Sequence, residues 1–325
     1  MSVAAPDRTT DTPEPPTAAP RRRKSWHSYW PQYLAVAPFY LLFLVFGLFP
    51  IVFSIVLSFT DWDGMGEIQF VGLAQYQYLL TDTRFWNAVG NTFIIWFLST
   101  IPMLFLALVI AFLLHSNIRF KGAYRVAYFI PNVTSMVAMT IVFGSVFSDS
   151  FGLVNSALTA LGAEPVAWLS SDWGIKITIS VMVIWRFTGY NAIIYLAGLQ
   201  SIPTELYDAA RVDGASSWRI FTSITIPLLR PVILFTVITS TIGGLSLFTE
   251  PQVLLGNSGG TDEAGMTIVL YQYNQAFTQF DFGYASAIAW ALFILAALFA
   301  AINWRLLRER DGLKSRESDQ QEAAR

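Results

Sequence analysis

The chain has 325 residues, 54% of them hydrophobic and only 13% charged, with a mean hydropathy of +0.50. A soluble domain carries about a quarter charged residues, so this composition is that of an integral membrane protein. There is no cysteine, which excludes disulfides, thiol catalysis and thiolate-bound metal; no metal site is expected from the two histidines, His27 and His115, alone.

Residues 1–20 are rich in Pro, Thr and Ala and lack an apolar period, which reads as a disordered tail. A basic cluster, Arg21, Arg22, Arg23 and Lys24, precedes the first apolar run. That run is too long for a signal-peptide core and is expected to stay in the membrane. Windows of roughly 20 apolar residues, the length that crosses a bilayer, recur along the chain. They predict spans over Tyr33–Phe59, Ala88–Leu114, Ala123–Phe147, Gly174–Leu199, Leu228–Phe248 and Phe282–Trp304. Backbone groups in lipid must be satisfied within the segment, and nothing alternates like a barrel strand, so the spans are read as helices. The expectation is an all-α polytopic membrane protein with six transmembrane helices. Its parts are a disordered basic tail (1–30), a six-helix domain (31–305) and a charged tail (306–325). Pro38, Pro50, Pro102 and Pro131 fall in or near spans and predict local kinks.

The basic residues orient the spans. With the N-terminus inside, only Arg84 and Lys176 fall on the outer side, Arg186 stays within the fourth span, and every other Lys and Arg is cytoplasmic. Acids such as Asp61, Asp82, Asp149, Glu250, Glu263 and Asp281 fall outside. The bias predicts that both termini are cytoplasmic, as is the connection between the fourth and fifth spans.

That connection, 201–227, is polar and has the punctuation of two short helices joined by a glycine. Ser201 is a capping residue type, Pro203 suits a first turn, and Glu205 favours a helix N-terminus. Leu206, Ala209, Ala210 and Asp213 share one small, flat face, against which another surface can come close. Gly214 is placed to stop the first helix. Trp218, Phe221 and Ile224 then recur every three residues, and Pro227 is expected to close the second helix.

No phosphate-binding loop motif occurs, so the chain is not expected to hydrolyse ATP. No carboxylate lies well inside a span, which disfavours ion coupling. The glycine-rich segment from Gly256 to Gly265 reads as a flexible loop. Arg186 lies near the middle of the fourth span and must face the bundle interior or a wet cavity. Met182, Gly189 and Tyr190 share its face, with Thr188, Asn191 and Tyr195 alongside. Two readings stand: contact with a polyol, or structural pairing with a neighbouring helix or a sister subunit. In the third span Asn132, Thr134 and Ser135 follow Pro131 and either expose backbone to a passage or bind helices together. The candidate substrate path is Arg186, Tyr190, Asn191, Asn132 and Ser135.

The 201–227 stretch resembles the cytoplasmic loop signature of bacterial ABC importer membrane subunits: Glu-Ala-Ala, three residues, Gly, nine residues, Ile, one residue, Leu-Pro. Here Asp208-Ala209-Ala210, Gly214, Ile224 and Ile226-Pro227 keep every spacing, with Asp for Glu and Ile for Leu. Segments 57–62, 197–200 and 202–207 are similar to the carbohydrate, maltose-type branch. Trp185 to Asn191 and Phe248 to Pro251 are similar to cellobiose and lactose permeases. The resemblance implies one half of the translocation path of a sugar importer. It implies a coupling loop at Glu205, Asp208, Ala209, Ala210, Asp213, Gly214, Ile224 and Pro227. Implied partners are a second homologous permease, two ATP-binding subunits that hold ATP and magnesium, an extracytoplasmic sugar-binding protein and the bilayer, with no nucleic acid and no cofactor in this chain. The alternatives are an ABC permease for glycerol phosphate or a polyol, and a channel or secondary carrier independent of any ATPase.

Overall fold

A computed structural model describes residues 30–115 and 119–322. Apart from Trp30, the expected disordered tail lies outside them. The chain forms two units, residues 1–53 and 54–325. In the first, α1 (Trp30–Phe43) runs through a π turn (Leu44–Leu48) into the start of α2 (Phe49–Leu57). Its large apolar side chains are almost all exposed, and such an apolar run is of a length that crosses a bilayer. The wide turn precedes Pro50, which has no N–H to give to the turn behind it.

The second unit is organised on two long helices packed along each other, α4 (Thr83–His115) and α8 (Asp172–Gln200). Three buried clusters succeed one another along α4. The first gathers Phe85 and Ala88 with Tyr271, Tyr284 and Ile288; the second Ile95 and Met103 with Ile175, Ile179 and Leu247; the third Ala107, Ala111 and Leu114 with Tyr195, Leu199 and Leu229. Two short strands, Thr60–Asp61 and Gln69–Phe70, pair antiparallel as a hairpin that the all-helical expectation did not include. Helices α3 (Ala74–Thr81) and α7 (Leu153–Ala160) are short connectors.

Five helical stretches are long and apolar enough to cross a bilayer: Tyr33–Leu57, Thr83–His115, Asp172–Gln200, Ser217–Leu255 and Phe282–Arg305. The third expected span differs. Residues 121–146 form α5 (Lys121–Val133) and α6 (Met136–Val146), bent by 94° at the break. With 13 and 11 residues they are about 20 and 17 Å long, and neither alone reaches across about 30 Å of hydrocarbon. At the break Thr134 is extended (ψ 143°), and Ser135 starts α6 by accepting a hydrogen bond from the Ala138 N–H. The chain is a multi-pass membrane protein, with six passes if the bent pair counts as one.

The fifth span also differs. Helix α10 (Ser217–Ile220) passes through a π turn (Phe221–Thr225) straight into α11 (Ile226–Leu245). Pro227 does not close the second helix. It sits in the first turn of α11, where a missing N–H costs nothing, and the wide turn gives its ring room.

Beyond α11 come α12 (Thr249–Leu255), α13 (Ile268–Phe277) and α14 (Phe282–Glu322). The glycine-rich segment between α12 and α13, expected as a flexible loop, is exposed at Gly256, Asn257, Ser258, Thr261 and Asp262 and packed at its end. Ala264 and Met266 are buried, and a Cβ on Gly265 would lie 2.3 Å from Leu255. The Asn91 side chain donates to the carbonyls of Glu263 and Met266, and the Arg84 guanidinium pairs with the Glu263 carboxylate. Beside it Asp82, 8% exposed, joins α4 to α13 and α14 by accepting from the hydroxyls of Tyr271 (2.5 Å) and Tyr284 (2.6 Å). Burial raises the Asp82 pKa, but these phenols and the N–H groups of Arg84 and Phe85 outweigh it and hold the carboxyl below its usual range.

Candidate functional site

Two features stand out: an exposed helix between α8 and α10, and a cavity between the long helices. Helix α9 (Thr204–Val212) carries Glu205 in its first turn. Ser201 does not cap it. Its side chain turns back to the Gly198 carbonyl (2.7 Å) and closes α8, while Pro203 takes the N-cap position. At the other end the Ala215 N–H donates to the Ala210 carbonyl (2.9 Å) and the Gly214 N–H to the Arg211 carbonyl (3.0 Å). This pair of bonds needs a left-handed residue, and Gly214 has φ +75°. No atom crowds the position, so the glycine serves the backbone turn rather than a close contact within this chain.

The side chains of Glu205, Asp208, Ala209 and Asp213 are exposed, and Ala210 is half-buried. Ile224 and Pro227 are half-buried in the π turn and the start of α11, apart from that face in role. Sequence reading missed Val212 (88% exposed) and did not anticipate how far Trp218 (73%) stands out. Two anchors hold the face to the bundle. Ile202 is buried against Ala107, Ala111 and Leu114, and the Tyr207 hydroxyl lies 3.3 Å from that of Thr225. A force on α9 therefore reaches the ends of α4, α8 and α11 together. The Asp208–Arg211 ion pair is exposed on both sides and contributes little.

The cavity has a volume of about 490 Å³ and lies among residues of α4, α5, α6, α8, α11 and α12. Pockets of about 300–1,000 Å³ suit small-molecule ligands. Of the expected path residues, Tyr190, Asn191 and Asn132 line it, whereas Arg186 and Ser135 are not part of its wall. Thr239, Ser240, Ser246 and Thr249 add hydroxyls, and Phe187, Phe248 and Tyr190 add aromatic surface. The Asn191 amide donates to the Phe187 carbonyl (3.0 Å).

Arg186 does something else. Its guanidinium donates to the main-chain carbonyls of Thr134 (2.9 Å) and Asn132 (3.2 Å), the groups left open where α5 ends. A cation there also suits the negative end of the helix dipole. Of the two readings left by the sequence, the geometry is that of a structural partner to a neighbouring helix.

Glu250 is absent from the expected path, although Phe248 to Pro251 is similar to sugar permeases. It was counted among the external acids, yet α12 folds it inward to 2% exposure in the cavity wall. Its Oε1 has no hydrogen-bond partner among the described residues. The available signal was an acid immediately after the apolar run of the fifth span.

A cavity among long apolar helices, with an exposed helix anchored to three of them, defines a membrane transport subunit. The chain belongs to the family of binding-protein-dependent transport system inner membrane components, whose model matches residues 84–310. It is 41% identical to the lactose transport system permease protein LacF of Rhizobium radiobacter, over 86% of this chain and 94% of that one. It is 36% identical to the arabinooligosaccharides transport system permease protein AraP of Bacillus subtilis (strain 168), over 84% and 87% of the two chains. A crystal structure of a bacterial alginate ABC transporter, in complex with an alginate pentasaccharide-bound periplasmic protein, shares the fold with a TM-score of 0.76. At 24% identity it covers 87% of this chain and 96% of its own.

Proposed function

We propose that this chain is the permease subunit of an ATP-binding-cassette importer and forms half of the path for a di- or oligosaccharide such as lactose or cellobiose. The observation that carries the reading is its 41% identity to a lactose permease over nearly the whole of both chains. The hydroxyl- and aromatic-lined cavity supports it, because sugars offer many hydroxyls and apolar ring faces. Tyr190, Asn191 and Asn132 are the proposed contacts there.

The distribution of Lys and Arg supports an orientation in the bacterial cell membrane with both termini and α9 cytoplasmic. On that side one of two ATP-binding subunits, which hold ATP and magnesium, docks on Glu205, Asp208, Ala209, Ala210, Asp213 and Gly214. Ile224 and Pro227 shape the segment that joins this face to α11. A second, homologous permease completes the path across residues 31–305, between the two cytoplasmic tails. An extracytoplasmic binding protein delivers sugar to the segments 60–87, 148–173 and 249–281. Docking drives transport only if it differs between inward-open and outward-open states.

The test is reconstitution. The assembled transporter should import labelled lactose or cellobiose only with ATP and the binding protein, and this chain should co-purify with an ATPase. Import by the isolated chain alone would overturn the reading in favour of a channel or carrier. Competition by glycerol phosphate or a polyol, but by no sugar, would reassign the solute.

A further inference from the structure

The cavity holds one group whose chemistry is unspent. Glu250 is 2% exposed, lines the cavity and leaves Oε1 without a hydrogen-bond partner among the described residues. A buried polar atom without a partner is costly unless something arrives to satisfy it. Glu250 stands in the first turn of α12, where a helix N-terminus favours an acid and its own backbone N–H bonds the carboxyl, but that leaves Oε1 over; the neighbouring lining groups are the apolar Leu247 and Phe248 and the hydroxyl of Thr249. The Arg186 guanidinium lies near enough to act on the carboxyl electrostatically, but its Nη1 and Nη2 donate to Thr134 and Asn132, and its Nε, like Oε1, has no hydrogen-bond partner among the described residues. Arg186 can balance the charge without occupying the oxygen.

On the basis of the sugar reading above, we propose that Glu250 is a specificity-determining residue of the cavity, accepting hydrogen bonds from the hydroxyls of a neutral sugar in transit. A carboxylate accepts from two hydroxyls at once, and such charge-assisted bonds are about twice as strong as neutral ones. The same carboxylate repels an acidic sugar. The Asn191 and Asn132 amides and the hydroxyls of Ser240 and Thr249 are spread around the same space, so a ring held at Glu250 meets further partners.

The test uses the full transporter, with its partner subunits, in vesicles, and compares wild type with Glu250→Gln and Glu250→Cys. The chain contains no cysteine, so the new thiol is unique within it. The Glu250→Gln variant should lower the maximum uptake rate of lactose and of cellobiose at saturating binding protein by about tenfold, the scale of one lost charge-assisted bond. Lactose or cellobiose should slow labelling of the Glu250→Cys thiol by a small thiol reagent, and sorbitol at the same concentration should not. Unchanged uptake in Glu250→Gln would overturn the proposal. So would reduced uptake with no sugar protection of the thiol, because Glu250 would then be structural. Wild-type vesicles that import neither sugar would instead sink the sugar reading itself.

Discussion

The carbonyl oxygen of Tyr128 lies 1.7 Å from where a Cβ on Gly189 would sit, so α5 and α8 touch backbone to backbone at that point. One helical turn earlier on α8, Arg186 binds the open end of the same α5. The glycine admits the broken helix and the arginine holds its end. Gly189→Ala must push α5 away, at about 1–3 kcal/mol for an overpacked contact. Its thermal unfolding in detergent should fall by several degrees, and an unchanged midpoint would mean that α5 does not sit this close.

Arg186 carries the second prediction. Arg186→Leu or Arg186→Met leaves the carbonyls of Thr134 and Asn132 without their donor, a loss of about 1–3 kcal/mol. Arg186→Lys restores the charge but not the two-pronged geometry, and should recover only part. If all three variants melt like wild type, the capping role is wrong. If they are stable but fail to import sugar, direct contact with sugar becomes the better reading.

At Gly214 the backbone is left-handed with no crowding atom, so side-chain size alone is harmless and backbone shape decides. Gly214→Asn should be tolerated. Gly214→Val should cost about 1–2 kcal/mol at the turn and disturb the face it ends. Ala209→Glu should insert normally and abolish sugar-stimulated ATP hydrolysis in the assembled transporter. Normal import by Gly214→Val and Ala209→Glu together would remove α9 as the docking face.

Asp82 predicts a pH dependence. Its folded pKa is lowered, so its contribution is fully present above the unfolded value of about 3.9 and is lost as pH falls through the folded one. Melting midpoints measured from pH 6 down to pH 3 should drop, and Asp82→Asn should flatten the slope while lowering the midpoint at pH 6. Parallel pH curves for the two proteins would remove Asp82 as the cause.

Much of this was legible beforehand because a bilayer imposes one strong rule, a run of apolar residues of fixed length. The second and fourth expected spans lie within helices that extend a few residues further, and the sixth lies within α14, which runs on to Glu322. The turn at Gly214 could be read because only a glycine suits that backbone. What could not be read depended on a partner distant in sequence. Pro131 announces a kink within Ala123–Phe147, but not a bend of 94°, because Arg186, which binds the carbonyls at the break, is more than fifty positions away. Pro227 was read as a stop because a π turn, which relieves a proline, has no sequence signature of its own. Glu250 was misjudged because a charge after an apolar run faces water unless a short helix such as α12 folds it back.

The unbroken run from α10 through the π turn into α11 has a mechanical meaning. Trp218 stands out at one end, and Ser240 and Gly243 line the cavity toward the other, with helix but no loop between them. A π turn and Pro231 lie along this rod, but no loop interrupts it, so rotation at the tryptophan is passed toward the cavity wall. A peptide or small molecule gripping Trp218 would therefore jam sugar passage without entering the cavity, and excess sugar would not relieve the block.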